Sequence, residues 1–141
     1  METKTTLPSS PTSVGAARRF VRDVLMHRHV NQKAVDTVEL LTSEVVTNAL
    51  VHARAVGADE GPDLVVRIHR GSVRVEVYDV SPEVPVRRNP EPMDPGGRGM
   101  CIVDELARDW GVDHLPTGKR VWFEVAFRIS PLAAWARGRV T

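Results

Sequence analysis

Three polar side chains recur at one-turn intervals in an otherwise apolar stretch of the chain. Glu44, Asn48 and His52 stand at positions i, i+4 and i+8, a spacing that aligns them along one side of an α-helix. A carboxylate beside a carboxamide supplies a general base and an oxygen ligand of the kind that Mg²⁺ accepts. The residues between them are apolar or small, so we expect the line to border the core. On spacing alone, the alternative is a solvated polar face of an amphipathic helix.

A carboxylate also follows an alternating apolar run. Asp79 continues the period-two register of Val73, Val75 and Val77, which predicts that its side chain points to the same apolar face. A buried unpaired charge is costly, so we expect a partner beside it. The alternative is that the strand has already ended and Asp79 begins a turn with the following Ser-Pro pair.

A glycine-rich segment precedes the next helical pattern. Glycines allow close backbone approach, and a helix N-terminus presents unpaired N–H groups, so Gly96–Gly99 could hold a phosphate with Arg98 as an added charge. The segment matches neither a Rossmann fingerprint nor a Walker A loop. Before it, Val80–Pro95 contains five of the ten prolines, and a loop of that length is typical of a ligand-covering lid. The alternatives are a flexible hinge and an unconstrained surface loop.

Periodicity predicts the elements that hold these groups. Residues 1–13 are rich in Thr, Ser and Pro and predict a flexible leader. A helix follows from Val14 with Ser13 as its cap, and a second helix runs from Lys33 to Ala53. The remaining patterns predict a hairpin, a third helix and two strands: Leu64–Ile68 paired with Val73–Val77, an apolar helix face of Ile102, Val103, Leu106 and Trp110, a short strand near Val112–Leu115, and a strand with Val121, Phe123, Val125 and Phe127 on one face.

This order of elements predicts an α+β fold. We expect a two-layer sandwich with helices packed on one face of a mixed, mostly antiparallel sheet. The domain should span residues 14–129, followed by a C-terminal tail over 130–141.

Composition narrows the function classes. The chain has 141 residues and a net charge of +1, a balance that gives no bulk electrostatic reason to expect nucleic acid or an anionic membrane as partner. The lone Cys101 excludes an internal disulfide framework and a multi-cysteine zinc site. No run approaches the length of a membrane-spanning helix, and the N-terminus lacks the apolar stretch of a secretory signal. We therefore expect a cytoplasmic, single-domain protein.

Together, the helix with Glu-x-x-x-Asn, the hairpin ending in Asp, the long loop and the Gly-x-Gly helix start resemble the histidine-kinase-like ATPase (GHKL) family, whose nucleotide-binding domain is called the Bergerat fold. Within it, the chain is similar to small stand-alone anti-sigma-factor serine/threonine kinases of the RsbW and SpoIIAB type. The resemblance covers about residues 16–128 and is carried by 41–52 (LTSEVVTNALVH), 97–103 (GRGMCIV) and 118–124 (GKRVWFE).

The resemblance implies ATP and Mg²⁺ as cofactors and assigns roles to the polar residues. It makes Glu44 the catalytic base and Asn48 the Mg²⁺ ligand, and Asp79 the acceptor of a hydrogen bond from the adenine amino group. Val80–Pro95 becomes the nucleotide lid. The phosphate cradle consists of Gly97, Arg98, Gly99 and the N–H groups at Met100.

Two positions depart from the family pattern. Relatives commonly have Asp-x-Gly-x-Gly, whereas Val-Ser-Pro-Glu follows Asp79, which should lower nucleotide affinity. Relatives often carry Thr after the glycine that corresponds to Gly118, to help hold the adenine through water. In this chain we expect Arg120 to occupy the place of that threonine, which puts the water-mediated contact to adenine in doubt.

The implied function is an ATP-dependent protein kinase that controls transcription by partner switching. The implied substrate is a serine or threonine on a small STAS-type anti-sigma-factor antagonist, the other partner is a sigma factor, and homodimerisation is expected. The alternative is a nucleotide-binding module without kinase activity, which the missing glycines favour. A third possibility, a pure interaction domain that has lost ATP, requires Glu44 and Asn48 to be remnants.

Overall fold

The computed structural model describes residues 1–55, 57, 60–79 and 95–131, and in the helices the side chains at 54, 55 and 95–99 are not described. Within these residues, five strands form one sheet in the order β1-β2-β3-β5-β4, and three helices accompany it. The helices are α1 (Ser13–His27), α2 (Gln32–Ala55) and α3 (Pro95–Leu106). The strands are β1 (Glu2–Pro8), β2 (Glu60–His69), β3 (Ser72–Asp79), β4 (Asp109–Leu115) and β5 (Gly118–Ala126).

The α+β sandwich predicted from the sequence is confirmed, with one correction to its sheet. All four strand pairings among the described residues are antiparallel, so the sheet is not mixed. The expectation of a mixed sheet was wrong. Strands β2–β3 and β4–β5 are hairpins, which are antiparallel, and the pairs β1–β2 and β3–β5 are antiparallel too. Helices α1 and α2 pack together over one face of the sheet, and α3 packs against α2 and β4.

The predicted hairpin is present and is longer than the sequence pattern indicated. Strands β2 and β3 pair from Asp63 opposite Tyr78 to His69 opposite Ser72. Gly71 makes the turn at a φ of 69°, a left-handed conformation that glycine adopts without a steric cost. One face of this hairpin and of β5 is buried under the helices and forms the core with Phe123 and the valines of β3 and β5.

The predicted flexible leader is wrong for most of its length. Glu2–Pro8 forms β1, which pairs antiparallel with β2 at the edge of the sheet. Leu7 is buried and anchors the strand. The low hydrophobicity of residues 1–13 misled the prediction, because an edge strand needs few apolar side chains and threonine is favoured in strands. The opposing Gly61 has no room for a side chain, since a Cβ would lie 2.2 Å from the carbonyl oxygen of Leu7.

The first helix begins within one residue of the predicted start, and the second matches its predicted span within two residues at each end, but the predicted cap differs. Ser13 is the first residue of α1 rather than its cap, and Thr12 occupies the cap position without a side-chain hydrogen bond. The buried Ser13 hydroxyl donates to the carbonyl of Pro8 instead. It therefore ties the start of α1 to the end of β1. No helix within the described ranges is long and apolar enough to cross a membrane.

The third helix ends earlier than predicted. Trp110 lies on β4, opposite Phe123 of β5, and not on the apolar face of the helix. The helix stops at Leu106 because the backbone N–H of Arg108 donates to the carbonyl of Glu124 and so joins the sheet. The predicted lid was Val80–Pro95: Pro95 is the first residue of α3, and residues 80–94 lie outside the described residues. The tail residues 132–141 also lie outside them, so the boundary proposed at 129 remains a prediction.

The sheet face turned away from the helices carries a buried carboxylate that is held by three donors. Glu76 is 3% exposed. It accepts hydrogen bonds from Arg67 Nε at 3.0 Å, Arg74 Nε at 2.9 Å and the Tyr78 hydroxyl at 3.1 Å. Arg74 in turn lies over the ring of Trp122, 4.1 Å from its centroid. Burial alone would raise the pKa of Glu76, but hydrogen bonds from Arg74, Arg67 and Tyr78 outweigh it and hold this pKa below its usual value.

We expect Glu76→Gln to lower the free energy of unfolding at neutral pH by about 1–3 kcal/mol, because a charge-assisted network loses its anion. The pKa of Glu76 is lower in the folded than in the unfolded protein, so this stabilisation is complete above the unfolded-state pKa. It is lost as the pH falls through the folded-state pKa. Urea unfolding measured from pH 7 to pH 3 should therefore show the difference between wild type and variant narrowing with acid. Glu105→Gln, at an exposed helical position, is the control, and a constant difference across this range would contradict the assignment.

Candidate functional site

The polar line predicted on the second helix lies beside the core. Glu44 and Asn48 are half-buried on α2, and His52 is exposed one turn further on. The neighbouring stripe of the same helix, including Leu41, Val45 and Ala49, is buried against the sheet. The side chains of Glu44 and Asn48 form no hydrogen bond or ion pair with another described residue. Two oxygen-bearing groups one turn apart are thus available to a ligand.

Asp79 lies where the strand register predicted. It is the last residue of β3 and is 6% exposed, on the same buried face as Val75 and Val77. Its Oδ2 lies 3.7 Å from Nδ1 of His52. The last turns of α2 and the end of β3 therefore meet at one edge of the sandwich, and His52 is a polar neighbour of the kind that the sequence led us to expect beside Asp79.

A lysine completes this edge of the site. Lys119 is directly opposite Asp79 in the β3–β5 ladder, and its Nζ is in hydrogen-bond contact with Nδ1 of His52. Desolvation lowers the pKa of Lys119, while the charge of Asp79 acts in the opposite direction. His52 Nδ1 thus lies close both to Lys119 Nζ and to the Asp79 carboxylate, so the three side chains form one cluster.

Sequence reasoning missed Lys119, although the pattern of β5 contained the signal. Lys119 has the same parity as Val121, Phe123 and Val125, whose side chains are buried. The alternation therefore placed Lys119 on the helix-facing side of the sheet.

The expectation for Arg120 is wrong. Its side chain lies on the opposite face of the sheet, where Nη2 is 2.7 Å from Asp113 Oδ2 and Nη1 is 3.4 Å from the Tyr78 hydroxyl. Successive residues of a strand point to opposite faces, so the residue that faces Asp79 is Lys119 and not its neighbour.

The glycine-rich segment lies inside the third helix and not before it. Helix α3 begins at Pro95, so Gly97 and Arg98 belong to its first turn, where backbone N–H groups have no partner within the helix. Met100 packs against the core. Helix α3 lies against α2, which carries Glu44 and Asn48. The assignment of Gly97, Arg98, Gly99 and Met100 to a phosphate cradle stays a prediction.

The fit of a magnesium ion rests on the chemistry of the available donors. Within 1–55, 60–79 and 95–131 no three His, Cys, Asp or Glu side chains form a metal-binding group. Mg²⁺ is commonly held by one or two protein oxygens, with waters and substrate phosphates completing its octahedron. The half-buried amide oxygen of Asn48 and the carboxylate of Glu44 suit that kind of site, and Asn48 as ligand remains a prediction.

A comparison with protein-family models decides the family. The model described as histidine kinase-like ATPase domain matches residues 7–125, which include every predicted site residue. The chain belongs to this family. Membership of this ATPase family implies ATP binding, and the resemblance stated from the sequence is confirmed at this level.

Solved structures share the fold of this ATPase domain. One is the crystal structure of the RsbU and RsbW domains of Rv1364c from Mycobacterium tuberculosis, with a TM-score of 0.70, 17% identity and coverage of 90% of this chain and 32% of that chain. The present chain thus spans about a third of that crystallised chain. Another is the SiaB-SiaC complex from Pseudomonas aeruginosa, with a TM-score of 0.63, 12% identity and coverage of 89% and 88%. A comparison with curated protein sequences found no match.

Proposed function

We propose that this ATPase domain is a Mg²⁺- and ATP-dependent serine/threonine kinase in a partner-switching system that regulates transcription. The observation that carries the proposal is the edge where α2 and β3 meet: a buried carboxylate, Asp79, lies next to a helix that presents Glu44 and Asn48, whose side chains have no partner among the described residues. The carboxylate proposed to bind the adenine, Asp79, and the carboxylate proposed to act as the general base, Glu44, are then both held on regular secondary structure of one domain.

The proposed roles follow from the positions of the groups. Asp79 accepts a hydrogen bond from the adenine amino group and so fixes the base at the end of β3. The first turn of α3 offers backbone N–H groups to the phosphates. Asn48 holds Mg²⁺, which would supply charge neutralisation on the phosphates, and Glu44 orients or deprotonates the attacking hydroxyl group. Phosphoryl transfer requires mainly positioning and charge stabilisation, and these groups suffice for that.

The proposed substrate is a serine or threonine of a small STAS-type anti-sigma-factor antagonist, and the second partner is a sigma factor. The similarity in fold to a protein with an RsbW domain and to a protein crystallised in the SiaB-SiaC complex supports partner switching. We place the protein in the cytoplasm as a homodimer, with the folded domain ending near 129 and neither nucleic acid nor membrane as a direct partner.

Incubation of the full chain with Mg²⁺, labelled ATP and a panel of small STAS-type proteins tests the proposal. We expect label on a serine or threonine of at least one panel member, with none when Mg²⁺ is omitted. ATP binding without transfer to any member would favour the second candidate, a nucleotide-binding module that acts through ATP-dependent protein contacts. That candidate is favoured by the sequence after Asp79, which lacks the glycines of the family pattern.

We expect Asn48→Ala to shrink the gain in ATP affinity on adding Mg²⁺ by about tenfold or more, because a ligand of the ion is removed. Calorimetric titration with ATP, with and without Mg²⁺, measures this gain. Thr47→Ala, at the exposed position next to Asn48 on the same helix, is the control and should leave the gain unchanged. An undiminished Mg²⁺ dependence in Asn48→Ala would remove this residue from the metal site.

A further inference from the structure

Next to Asp79, the candidate site contains a second polar side chain, Lys119, whose position is fixed by the pairing of the strands. Lys119 and Asp79 are direct partners in the antiparallel β3–β5 ladder, and both side chains lie on the helix-facing side. Directly opposed residues have Cβ atoms only about 4.5–5.5 Å apart. A ligand that meets the Asp79 carboxylate therefore comes within reach of the Lys119 ammonium group.

The ammonium group of Lys119 has more hydrogen-bond donors than the described residues occupy. It carries three N–H donors, and within the described residues its one hydrogen-bond partner is His52. His52 is in turn 3.7 Å from the Asp79 carboxylate and holds the lysine in place. The pair thus presents a fixed hydrogen-bond acceptor, Asp79, beside a fixed donor, Lys119.

This acceptor and donor match one edge of adenine. The 6-amino group of adenine is a donor and the adjacent ring nitrogen N1 is an acceptor. Guanine presents the reverse order, with an acceptor oxygen at position 6 and an N–H at position 1. A site built to hydrogen-bond a base discriminates against an analogue that leaves its buried polar groups unpaired.

We propose that Lys119 is a specificity-determining residue that donates a hydrogen bond to N1 of the adenine whose amino group Asp79 accepts, with His52 as its positioning residue. The inference rests on the proposed binding of ATP and adds the reading of N1 to it. Arg120, the neighbouring cation, has no part in this contact because its guanidinium group is bound to Asp113 on the other face of the sheet.

The test pairs a change in the protein with a change in the ligand. Calorimetry with the full chain compares ATP with 1-deaza-ATP, in which a C–H replaces N1 and the amino group is kept. We expect wild-type protein to bind 1-deaza-ATP about tenfold or more weakly than ATP, as the loss of one charge-assisted hydrogen bond implies. Lys119→Met should bind both nucleotides with the same affinity, close to that of wild type for 1-deaza-ATP. Arg120→Met is the matched control and should keep the wild-type difference.

Each other outcome overturns the inference. A wild-type protein that does not distinguish the two nucleotides has no contact to N1. Equal weakening of both nucleotides by Lys119→Met, with their ratio preserved, would mean that the lysine contacts a phosphate or supports the fold. Lys119→Arg, which keeps a cationic donor, should retain part of the difference, and its complete loss there would contradict a charge-assisted contact. Wild-type protein that binds neither nucleotide would remove the proposed function itself, and this inference with it.

Discussion

Protein in which Glu44 is replaced by alanine is expected to bind ATP nearly as tightly as wild type and to transfer phosphate about 10²–10⁴ times more slowly, the usual contribution of a general base. Glu44 is half-buried on α2 and pairs with no other described residue, so its loss leaves no buried charge behind. Its removal should therefore affect the transition state more than the bound ground state. Single-turnover transfer from labelled ATP to the antagonist measures the rate, and calorimetry measures the affinity.

Two variants separate this role from an effect on the helix. Thr47→Ala changes an exposed position of α2 within one turn of Glu44 and should leave both quantities unchanged. Glu44→Gln keeps the shape of the side chain but cannot accept a proton, so we expect it to be nearly as slow as the alanine variant. Transfer at the wild-type rate by Glu44→Ala would end the assignment of Glu44 as base.

The parts of the fold that were predicted correctly have strong and regular hydrophobic periods. Helix α2 repeats apolar residues every three or four positions, and the β2–β3 hairpin alternates around Gly71, so each pattern allowed a single interpretation. Strand β1 could not be predicted in this way. Its one buried side chain is Leu7, and its pairing is provided by the backbone of β2, which a reading of local hydrophobicity does not detect.

The candidate site shows the same division between local and tertiary signals. Asp79 was predicted to be buried because its own strand fixes its orientation. The partners of Asp79 were not predicted, since His52 and Lys119 come from a helix and a strand that are 27 and 40 positions away along the chain and meet only in the folded domain. The face of the sheet on which Lys119 lies could have been predicted from the alternation of β5, which places Arg120 on the opposite face. The sequence contained no such signal for the approach of His52 to Asp79.

Each face of the sheet carries a buried carboxylate, and the two carboxylates differ in their hydrogen-bond partners. On the open face, Glu76 is buried and has hydrogen bonds from three protein donors, which occupy both of its carboxylate oxygens. On the helix-facing side, the Asp79 carboxylate accepts no hydrogen bond from a described side chain: His52 Nδ1 is 3.7 Å away, which is longer than a hydrogen bond, and Lys119 acts on it through its charge. A buried carboxylate without strong protein donors retains acceptor capacity for a ligand. This contrast favours Asp79 over Glu76 as the residue that binds the base.

Replacement of Asp79 by asparagine is expected to weaken ATP binding by about ten- to a hundredfold, because a charge-assisted hydrogen bond to the adenine amino group becomes a neutral one. The carboxamide introduced by Asp79→Asn can still offer its oxygen to the amino group, which sets the upper limit of the loss. The fold should remain cooperative, since the Asp79 carboxylate makes no hydrogen bond to another described side chain. Calorimetric titration with Mg-ATP gives the affinity, and thermal unfolding of the same samples verifies the fold.

The control for this prediction lies at the same end of the sheet on its other face. Asp113 is bound by Arg120 at 2.7 Å and is 41% exposed, so Asp113→Asn removes one carboxylate and one ion pair without altering the helix-facing side. We expect this variant to bind ATP like wild type. If both variants weakened ATP binding to the same extent, the effect would come from the net charge of the domain. An unchanged dissociation constant for ATP in Asp79→Asn would exclude Asp79 from the nucleotide site. Among the described residues, no other buried carboxylate faces the helices at this end of the sheet and could take over its role.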